Sequence, residues 1–558
     1  MSRPTPHSPK VLETMSRELK RSMQRLRIPS HPRPYFISYL LRAEHMTEVR
    51  GAYGGVYDSR EWDTSNLYTE VRVGSYRFDN TIDGGLNSNF KELNSYNWIA
   101  GPSDLHPEAL AYSLWKLTQF KYEEALQSYY DRKKILVEQV NSVRVDSFSR
   151  ERPVRRLERL EGRRFPREDW EAIVRDVTRL FLEYPEVQDP ACEIRGQRLH
   201  RYFVNSEGSR FVTEDSYISF QLKGWTQDEE GVYHPAYRLI YFRDPQAMPR
   251  RDVLRRLVAE IAQEVRAIRE AELMQDYVGP ALLSGEATGV FFHEAIGHRL
   301  EGERIISRSE GKTFAGKIGR QILSPMVTLI DDPTLEQAGG TALFGHYQVD
   351  DEGVRPQRTL LVERGTLRNF LMSRAPIPGC RNSNGHARHE CYMDPTARMG
   401  TLIVQASEKH TLKDLARMLL EEARRQGKQF ALYIKRVEGG ETQTSSYDFQ
   451  AFKGRPVEVY KVDVETGRHT RIRNVDFIGT PLAALEKIVA LGGKPEAMNA
   501  FCTAESGTIP VSSIAPSMLL SEIELQRTSA VGYRAPVLKP PWRKSRARRT
   551  EGKGARDG

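Results

Sequence analysis

The spacing of apolar residues in the first half of the chain predicts a mixed α/β domain. Short apolar runs alternate with polar residues and glycines over 34–81 and again over 194–242, as they do in β-hairpins. Apolar residues at helical spacing over 105–140 predict a long amphipathic helix or a pair of helices. Asp244 followed by Pro245 predicts the start of another helix, which closes this half of the chain.

The second half of the chain favours strands, with three predicted helices between them. An apolar run over 287–292, preceded by the N-cap candidate Ser284, predicts a buried helix. A polar cap and a terminal glycine bound a second helix over 411–427. Thr480 and Pro481 predict a third helix that ends at Gly492. Strand patterns occur at 360–370, 433–437 and 457–462.

These patterns predict an α+β fold with two domains. We expect an N-terminal mixed α/β domain over 31–275 and a C-terminal β-rich domain over 276–538, with the helix at 287–292 at their junction. Residues 1–30 form a polar leader, and residues 539–558 form a basic tail. Both end segments have the composition of disordered chain, so we expect them to be disordered.

The net charge of +9 comes mostly from the end of the chain. Residues 539–558 contain eight Lys or Arg against Glu551 and Asp557, so they carry +6 and the remaining residues carry +3. A tail of this kind can contact nucleic acid, but it more often serves solubility, and we find no folded nucleic-acid module. The chain has no long apolar run and no secretory signal at its start, so we expect a cytoplasmic protein without a membrane span.

The sequence His-Glu-Ala-Ile-Gly-His at 293–298 places two histidines and a glutamate in an apolar setting. Histidine is a common ligand of catalytic zinc, and a neighbouring glutamate is the usual base. His293 and His298 are five positions apart, which turns the second about 140° from the first in a regular α-helix. We therefore predict a local irregularity, a π-bulge, between Ala295 and His298, where Gly297 tolerates unusual backbone geometry. The alternative is two buried histidines whose ring nitrogens bind backbone carbonyls.

The segment 280–302, which contains these residues, resembles the signature of the TldD/PmbA family of zinc metalloproteases. The resemblance implies that His293 and His298 bind Zn²⁺ and that Glu294 is the catalytic base. It continues in the same order through 314–319, 331–334, 350–354, 382–386 and 439–442, and more weakly through 53–57 and 71–74.

A catalytic zinc needs a third protein ligand, and the resemblance places it at Cys502, in a loop that follows the last helix. Members of the family often follow this cysteine with Gly-Lys, whereas Thr503 and Ala504 stand here. We interpret the other cysteines as small buried residues. Cys380 and Cys391 lie in a loop rich in metal-binding residue types, so a second metal site in that loop is the alternative.

The same loop lies beside the substrate groove in the resembled family. The resemblance therefore makes Asn384, Gly385 and His386 candidates for substrate contact. Glu301 follows the second histidine by about one turn. A carboxylate there is a candidate to support a metal ligand from behind.

The motif and the resemblance together predict a zinc-dependent metalloprotease, and the resemblance implies that it hydrolyses peptide bonds in unfolded or extended peptides. The resemblance implies that such peptides bind along a sheet edge and that the chain forms a homodimer or a heterodimer with a PmbA-like subunit. Two alternatives remain. One is a non-catalytic sister-type subunit or scaffold, and the other is a nucleic-acid-associated protein that acts through its basic tail.

Overall fold

The computed structural model describes most of the chain, with short gaps. The described residues are 8–81, 99–138, 145–162, 164–227, 232–307, 309–390, 393–408, 410–442, 444 and 452–527. Cys391 and the basic tail 539–558 lie outside the described residues. In the described part of the chain, no helix is long and apolar enough to cross a membrane.

The N-terminal half is built on one sheet of long antiparallel strands. Its order is β3-β2-β1-β5-β6, and β4 and β7 pair with successive segments of β6. The two long hairpins confirm the strands predicted over 34–81 and 194–242. Tyr53 and Gly54 both have positive φ in the turn that joins the first two strands, as tight hairpin turns require. The strands are β1 Pro34–Ala52, β2 Gly55–Val73, β3 Ile99–Ala100, β4 Arg155–Leu157, β5 Gln188–Asn205, β6 Arg210–Gln227 and β7 Tyr233–Phe242.

Four helices pack on this sheet, and the first of them corrects a prediction. They are α1 Ser8–Arg25, α2 Pro107–Glu138, α3 Arg167–Arg179 and α4 Arg251–Glu270. The expected disordered leader is wrong over most of its length, because α1 buries Leu12, Met15 and Leu19 against β1 and α2. Their spacing is that of an amphipathic helix, a signal that the polar composition of the leader concealed.

The C-terminal half is built on a second, mixed sheet. Its order is β14-β13-β10-β17-β23-β9-β18-β19-β20-β8; β21 pairs with β19 and β23, and β22 pairs with β23. Two small hairpins lie outside this sheet, one formed by β11 and β12 and the other by β15 and β16. The strands of this half are β8 Glu272–Leu273, β9 Tyr277–Leu283, β10 Val327–Asp331, β11 Gln337–Ala338, β12 Thr341–Ala342, β13 Thr359–Glu363, β14 Thr366–Leu367, β15 Ala387–Arg388, β16 Thr396–Ala397, β17 Thr401–Ala406, β18 Phe430–Thr442, β19 Phe452–Asp463, β20 His469–Arg473, β21 Val475–Gly479, β22 Ile488–Ala504 and β23 Gly507–Arg527.

The helices of this half are α5 Gly285–Ala295, α6 Glu303–Ile306, α7 Leu412–Arg425 and α8 Pro481–Glu486. The predicted helices at 287–292 and 411–427 are confirmed, with Ser284 and Thr411 as their N-caps. The third predicted helix is wrong beyond its first turns. From Ile488 onward the chain is strand β22, because Ala490 and Leu491 are buried in pairing with β23.

Contacts between the two halves set the position of the site. Arg42 on β1 and Arg201 on β5 both donate to the buried carboxylate of Asp351, at 2.8 and 2.9 Å. Arg436 on β18 donates to the Tyr237 carbonyl on β7 at 3.1 Å. These contacts place β7 of the first sheet opposite β18 and β22 of the second, across a cleft. The two sheets with their helices confirm the predicted α+β fold class.

Candidate metal centre

Helix α5 carries the first histidine and lies deep in the C-terminal half. The Ser284 hydroxyl accepts the N–H of Ala287 at 3.1 Å and so caps the helix. Gly289 lets the helix approach β23 closely, because a methyl group there would overlap the Ser513 hydroxyl. The buried apolar face of α5 therefore fixes the direction in which His293 and Glu294 leave the helix.

The helix changes form between the two histidines. It ends at Ala295, Ile296 adopts φ −134° and ψ −34°, and a 3-10 turn follows over Gly297–Leu300. The predicted irregularity is thus present, but it is a break from α to 3-10 geometry and not a π-bulge. Gly297 is required for space, since a methyl group there would overlap the Met399 sulfur. The break brings the second histidine back toward the first.

His293, His298 and Cys502 meet at one point. The Cys502 sulfur lies 3.2 Å from His293 Nε2 and 3.4 Å from His298 Nε2. The three donor atoms lie within 4.8 Å of one another, and the imidazole planes are perpendicular. This is the only group of three or more His, Cys, Asp or Glu side chains with such spacing in the described part of the chain.

Cys502 reaches the histidines from strand β22 and not from the loop we predicted. The strand pairs with β23, and Cys502 lies opposite Ile509. Pairing along most of β22 fixes the sulfur more firmly than a loop would. The departure at Thr503 and Ala504 does not disturb this placement, because both residues continue the strand.

Two buried charged side chains hold the donors from behind. Glu301 Oε1 lies 3.0 Å from His298 Nδ1, which leaves Nε2 of that ring facing the sulfur. Arg398 donates to the Cys502 sulfur at 3.2 Å and to the Cys502 carbonyl at 2.9 Å. The suggested supporting role of Glu301 therefore has a geometric basis, with the His-carboxylate contact that commonly orients metal ligands.

The electrostatics of this group favour charged donors. Burial acts to raise the pKa of Glu301, but His298 and Arg304 outweigh it and lower that pKa to about 2. Burial likewise acts to raise the pKa of the Cys502 thiol, but His298, His293 and Arg398 hold it well below its usual range. A thiolate is the form of cysteine that binds metals.

Glu294 lies beside the donors with little room to move. It is 8% exposed and lines the cleft. Gly440 on β18 faces it: a methyl group at Gly440 would overlap Glu294 Cγ and lie 3.0 Å from Cδ. Arg299 ties the end of α5 to the same strand, donating to the Glu294 carbonyl at 3.0 Å and to Thr442 Oγ1 at 2.9 Å.

The three donor atoms open onto a cleft of about 1020 Å³. Its walls include residues 237–241 of β7, 435–442 of β18 and 496–504 of β22. In the described residues, the segment 496–504 of β22 pairs only with β23 and β7 pairs only with β6, so each has one unpaired edge along the cleft. A cleft bordered by strand edges and reaching three donor atoms and a carboxylate has the shape needed to present an extended chain to a metal.

The three predicted substrate contacts lie elsewhere. Asn384, Gly385 and His386 are absent from the walls of the cleft, and His386 is fully buried with its Nε2 3.2 Å from Asp331 Oδ1. Asp331 also accepts the N–H of Thr401 at 3.1 Å. The structure therefore gives this loop an internal role, because its polar side chains bind one another and the backbone. Among the other cysteines, Cys192 is buried and Cys380 is half-buried.

Sequence reasoning missed Arg398 and Arg304. Arg304 is buried and binds Glu301, Glu310 and Glu505, which keeps the carboxylate behind His298 in place. Both arginines lie far in sequence from at least one of their partners. In the sequence, each of them is an arginine next to apolar residues and close to a motif segment. That pattern is too common to identify a functional residue.

Residues 276–527 match the family model described as the PmbA/TldA metallopeptidase C-terminal domain. The chain is similar to a metalloprotease TldD homolog of Haemophilus influenzae, with 29% identity over 256 residues, 45% of this chain and 48% of that protein. It is also similar to a metalloprotease of Methanocaldococcus jannaschii, with 26% identity over 313 residues, 56% of this chain and 64% of that protein.

The matched regions thus span about half to just under two thirds of these relatives. Among solved structures, the chain resembles TldE from Thermococcus kodakarensis, with a TM-score of 0.60 and 14% identity over 92% of this chain and 100% of that one. At this identity the likeness concerns the fold.

Proposed function

We propose that this chain is a zinc-dependent metallopeptidase of the TldD/PmbA family, on the premise that residues 276–527 match the model of that family's C-terminal domain. The observation that carries the proposal is the convergence of His293, His298 and Cys502 within 4.8 Å beside Glu294. Two imidazoles and one thiolate make three protein ligands, the number that a catalytic zinc site uses while it keeps one position open. The donor set therefore fits zinc better than magnesium or calcium, which prefer oxygen.

When bound, a zinc ion here would supply Lewis-acid chemistry, polarising a scissile carbonyl and making water a stronger acid. His293, His298 and Cys502 would hold it. Glu301 would keep His298 in the orientation that presents Nε2, and Arg398 would stabilise the thiolate.

Glu294 would act as the general base of the reaction. Its carboxylate would accept a proton from the attacking water and pass that proton to the nitrogen of the leaving amine. The narrow space between α5 and Gly440 would keep this carboxylate in one position. Burial would also exclude competing water from it.

The proposed substrate is an unfolded segment or an extended peptide. The unpaired edges of β7 and β22 offer main-chain donors and acceptors to a peptide in the cleft. Such pairing uses little side-chain information, so intact folded domains would be poor substrates. We also propose that the protein works in the cytoplasm, where a metal-binding thiol remains reduced.

We propose that the active species is a dimer, either of two copies or with a PmbA-like subunit. The relation to TldE and TldD proteins supports a two-subunit arrangement. The complete set of donors and base favours the catalytic subunit over a non-catalytic sister or scaffold. Native mass spectrometry of the purified chain, alone and with a candidate sister subunit, measures the stoichiometry; a strictly monomeric protein with full activity would contradict the dimer.

Peptide digestion by wild type and by Glu294→Gln tests the catalytic proposal. We expect the variant to lose cleavage and to retain zinc, because the glutamate is a base and not a ligand. Glu421→Gln on α7, an exposed residue paired with Arg417, is the matched control and should cleave normally. Cleavage by Glu294→Gln at the wild-type rate, or loss of its zinc, would overturn the assigned role.

A further inference from the structure

A second cavity of about 610 Å³ adjoins the cleft at the metal centre. The two share Leu239 and Tyr241 of β7 and Phe501 of β22 as lining residues. Phe501 directly precedes the metal-binding Cys502 in sequence. Leu239, Tyr241 and Phe501 therefore border both spaces, next to the metal centre.

The mouth of the second cavity is aromatic. The Phe501 ring lies 5.7 Å from the Phe344 ring and 6.0 Å from the Tyr241 ring, centroid to centroid. Tyr217 completes the group, 5.1 Å from Phe344. Such distances are those of edge-to-face aromatic packing, which stabilises a further ring placed among them.

The exposed fractions of the side chains distinguish this mouth from an ordinary packing contact between the two halves. Phe344 is fully buried and Tyr217 nearly so, as in a core. Phe501 is 41% exposed and Leu239 is 38% exposed, although both are large apolar side chains in the wall of the cleft. Large apolar side chains left uncovered in a concave site are typical of ligand-binding surfaces.

The interior beyond this mouth is mixed, with apolar residues such as Met46 and Trp62 beside charged residues that pair with one another. Arg42 and Arg201 donate to Asp351 there, with 2.8 and 2.9 Å between the atoms. Glu390 also lines this part and accepts the N–H of Thr508 at 2.9 Å. The charged groups of the interior are therefore already paired, and the aromatic mouth is the part next to the metal centre that is left to bind an apolar side chain.

The alternation of side chains along a strand connects this mouth with the metal. Successive residues of β22 point to opposite faces, so Phe501 leaves the strand on the face opposite to Cys502. An extended peptide beside β22 alternates in the same way. If one peptide residue lies at the metal, its neighbour directs its side chain toward Phe501.

We propose that Phe501, Tyr241 and Leu239, backed by the buried ring of Phe344, form a specificity subsite that binds a large apolar side chain, aromatic above all, adjacent to the cleaved bond. This inference rests on the proposed function, because the subsite is defined relative to the peptide at the metal. It narrows the substrate class from any extended peptide to peptides with Phe, Tyr, Leu or a similar residue next to the scissile position.

Matched peptides test the subsite on the zinc-loaded full chain. The set consists of unstructured peptides that are identical except at one position, which carries Phe, Leu, Ala or Glu and is moved along the peptide. We expect kcat/KM, with products identified by mass spectrometry, to be about tenfold or more higher when Phe or Leu flanks the cleaved bond than when Ala or Glu does. Equal rates for Phe and Ala at every position would overturn the proposal.

Phe501→Ala should erase most of this preference while zinc content stays at the wild-type level. The readout is the ratio of kcat/KM for the Phe peptide to kcat/KM for the Ala peptide, which should fall toward one in this variant. Leu239→Ala gives a second test on another strand, should the first variant fold poorly. Tyr112→Ala removes an exposed aromatic ring from α2 and should leave the preference intact. A Phe preference that survives in both subsite variants contradicts the assignment.

Binding separates failure of the subsite from failure of the proposed function. If the zinc-loaded wild type cleaves none of the peptides, the peptidase proposal fails. Fluorescence anisotropy with labelled Phe and Ala peptides on Glu294→Gln protein then still tests the subsite. Tighter binding of the Phe peptide that Phe501→Ala abolishes supports it, and equal binding of the two peptides overturns it.

Discussion

Gly440→Ala is expected to disable the proposed base without touching a metal ligand. The added methyl group would overlap Glu294 Cγ and lie 3.0 Å from Cδ, where carbon atoms normally approach to about 3.5–4.0 Å. The Glu294 carboxylate must therefore move by roughly 1 Å, and a displacement of that size costs about 100-fold in rate. Crowding of this kind also lowers the free energy of unfolding by about 1–3 kcal/mol.

Gly439→Ala is the matched control on the same strand. No described atom lies within 4 Å of a methyl group built at Gly439, and neither glycine has a positive φ. The assay measures kcat with one good peptide, bound zinc and urea unfolding for wild type and both variants. We expect only Gly440→Ala to lose activity while keeping its zinc. Normal kcat in Gly440→Ala, or an equal loss in both variants, would refute the reasoning.

Two further predictions concern Arg398, which contacts the Cys502 sulfur, and Glu286, which lies in the wall of the cleft. Arg398→Met removes a hydrogen-bond donor to the Cys502 sulfur, so the sulfur-to-metal charge-transfer band of the cobalt-substituted protein should move to longer wavelength. Arg398→Lys should return the band part of the way to its wild-type position. An unchanged band in Arg398→Met contradicts the contact. Burial raises the pKa of Glu286 to about 7, although Arg436 opposes this rise. The protonated Glu286 side chain therefore contributes fully to stability below pH 4.5, and this contribution is lost as the pH rises through 7. Glutamine cannot ionise, so the free energy of unfolding of Glu286→Gln minus that of wild type should rise by about 2 kcal/mol between pH 4.5 and pH 8 in urea titrations. If the two proteins show the same dependence on pH, this prediction is refuted.

Local patterns predicted those parts of the structure that local physics determines. The apolar run before His293, the Ser284 cap and the Thr411 cap act within a few residues, so the helices they define are found where expected. The irregular turn before His298 also followed from spacing alone. Its form did not, because the close approach of Gly297 to Met399 involves residues about a hundred positions apart.

Distant partners explain what sequence reasoning could not supply. Ile488 to Cys502 was expected to end a helix and enter a loop, but pairing with β23 makes it a strand. Arg398 reaches Cys502 only through the fold. Asn384 and His386 had the composition of a binding loop, and their partners proved to be internal.

Zinc K-edge X-ray absorption on the purified, zinc-loaded protein tests the central claim most directly. The account predicts one zinc per chain with one sulfur neighbour at about 2.3 Å and two imidazole nitrogens at about 2.0–2.1 Å. It also predicts that the sulfur contribution disappears in Cys502→Ser. A zinc shell without sulfur in the wild type, or a sulfur signal that persists in Cys502→Ser, would contradict the assignment of the metal centre.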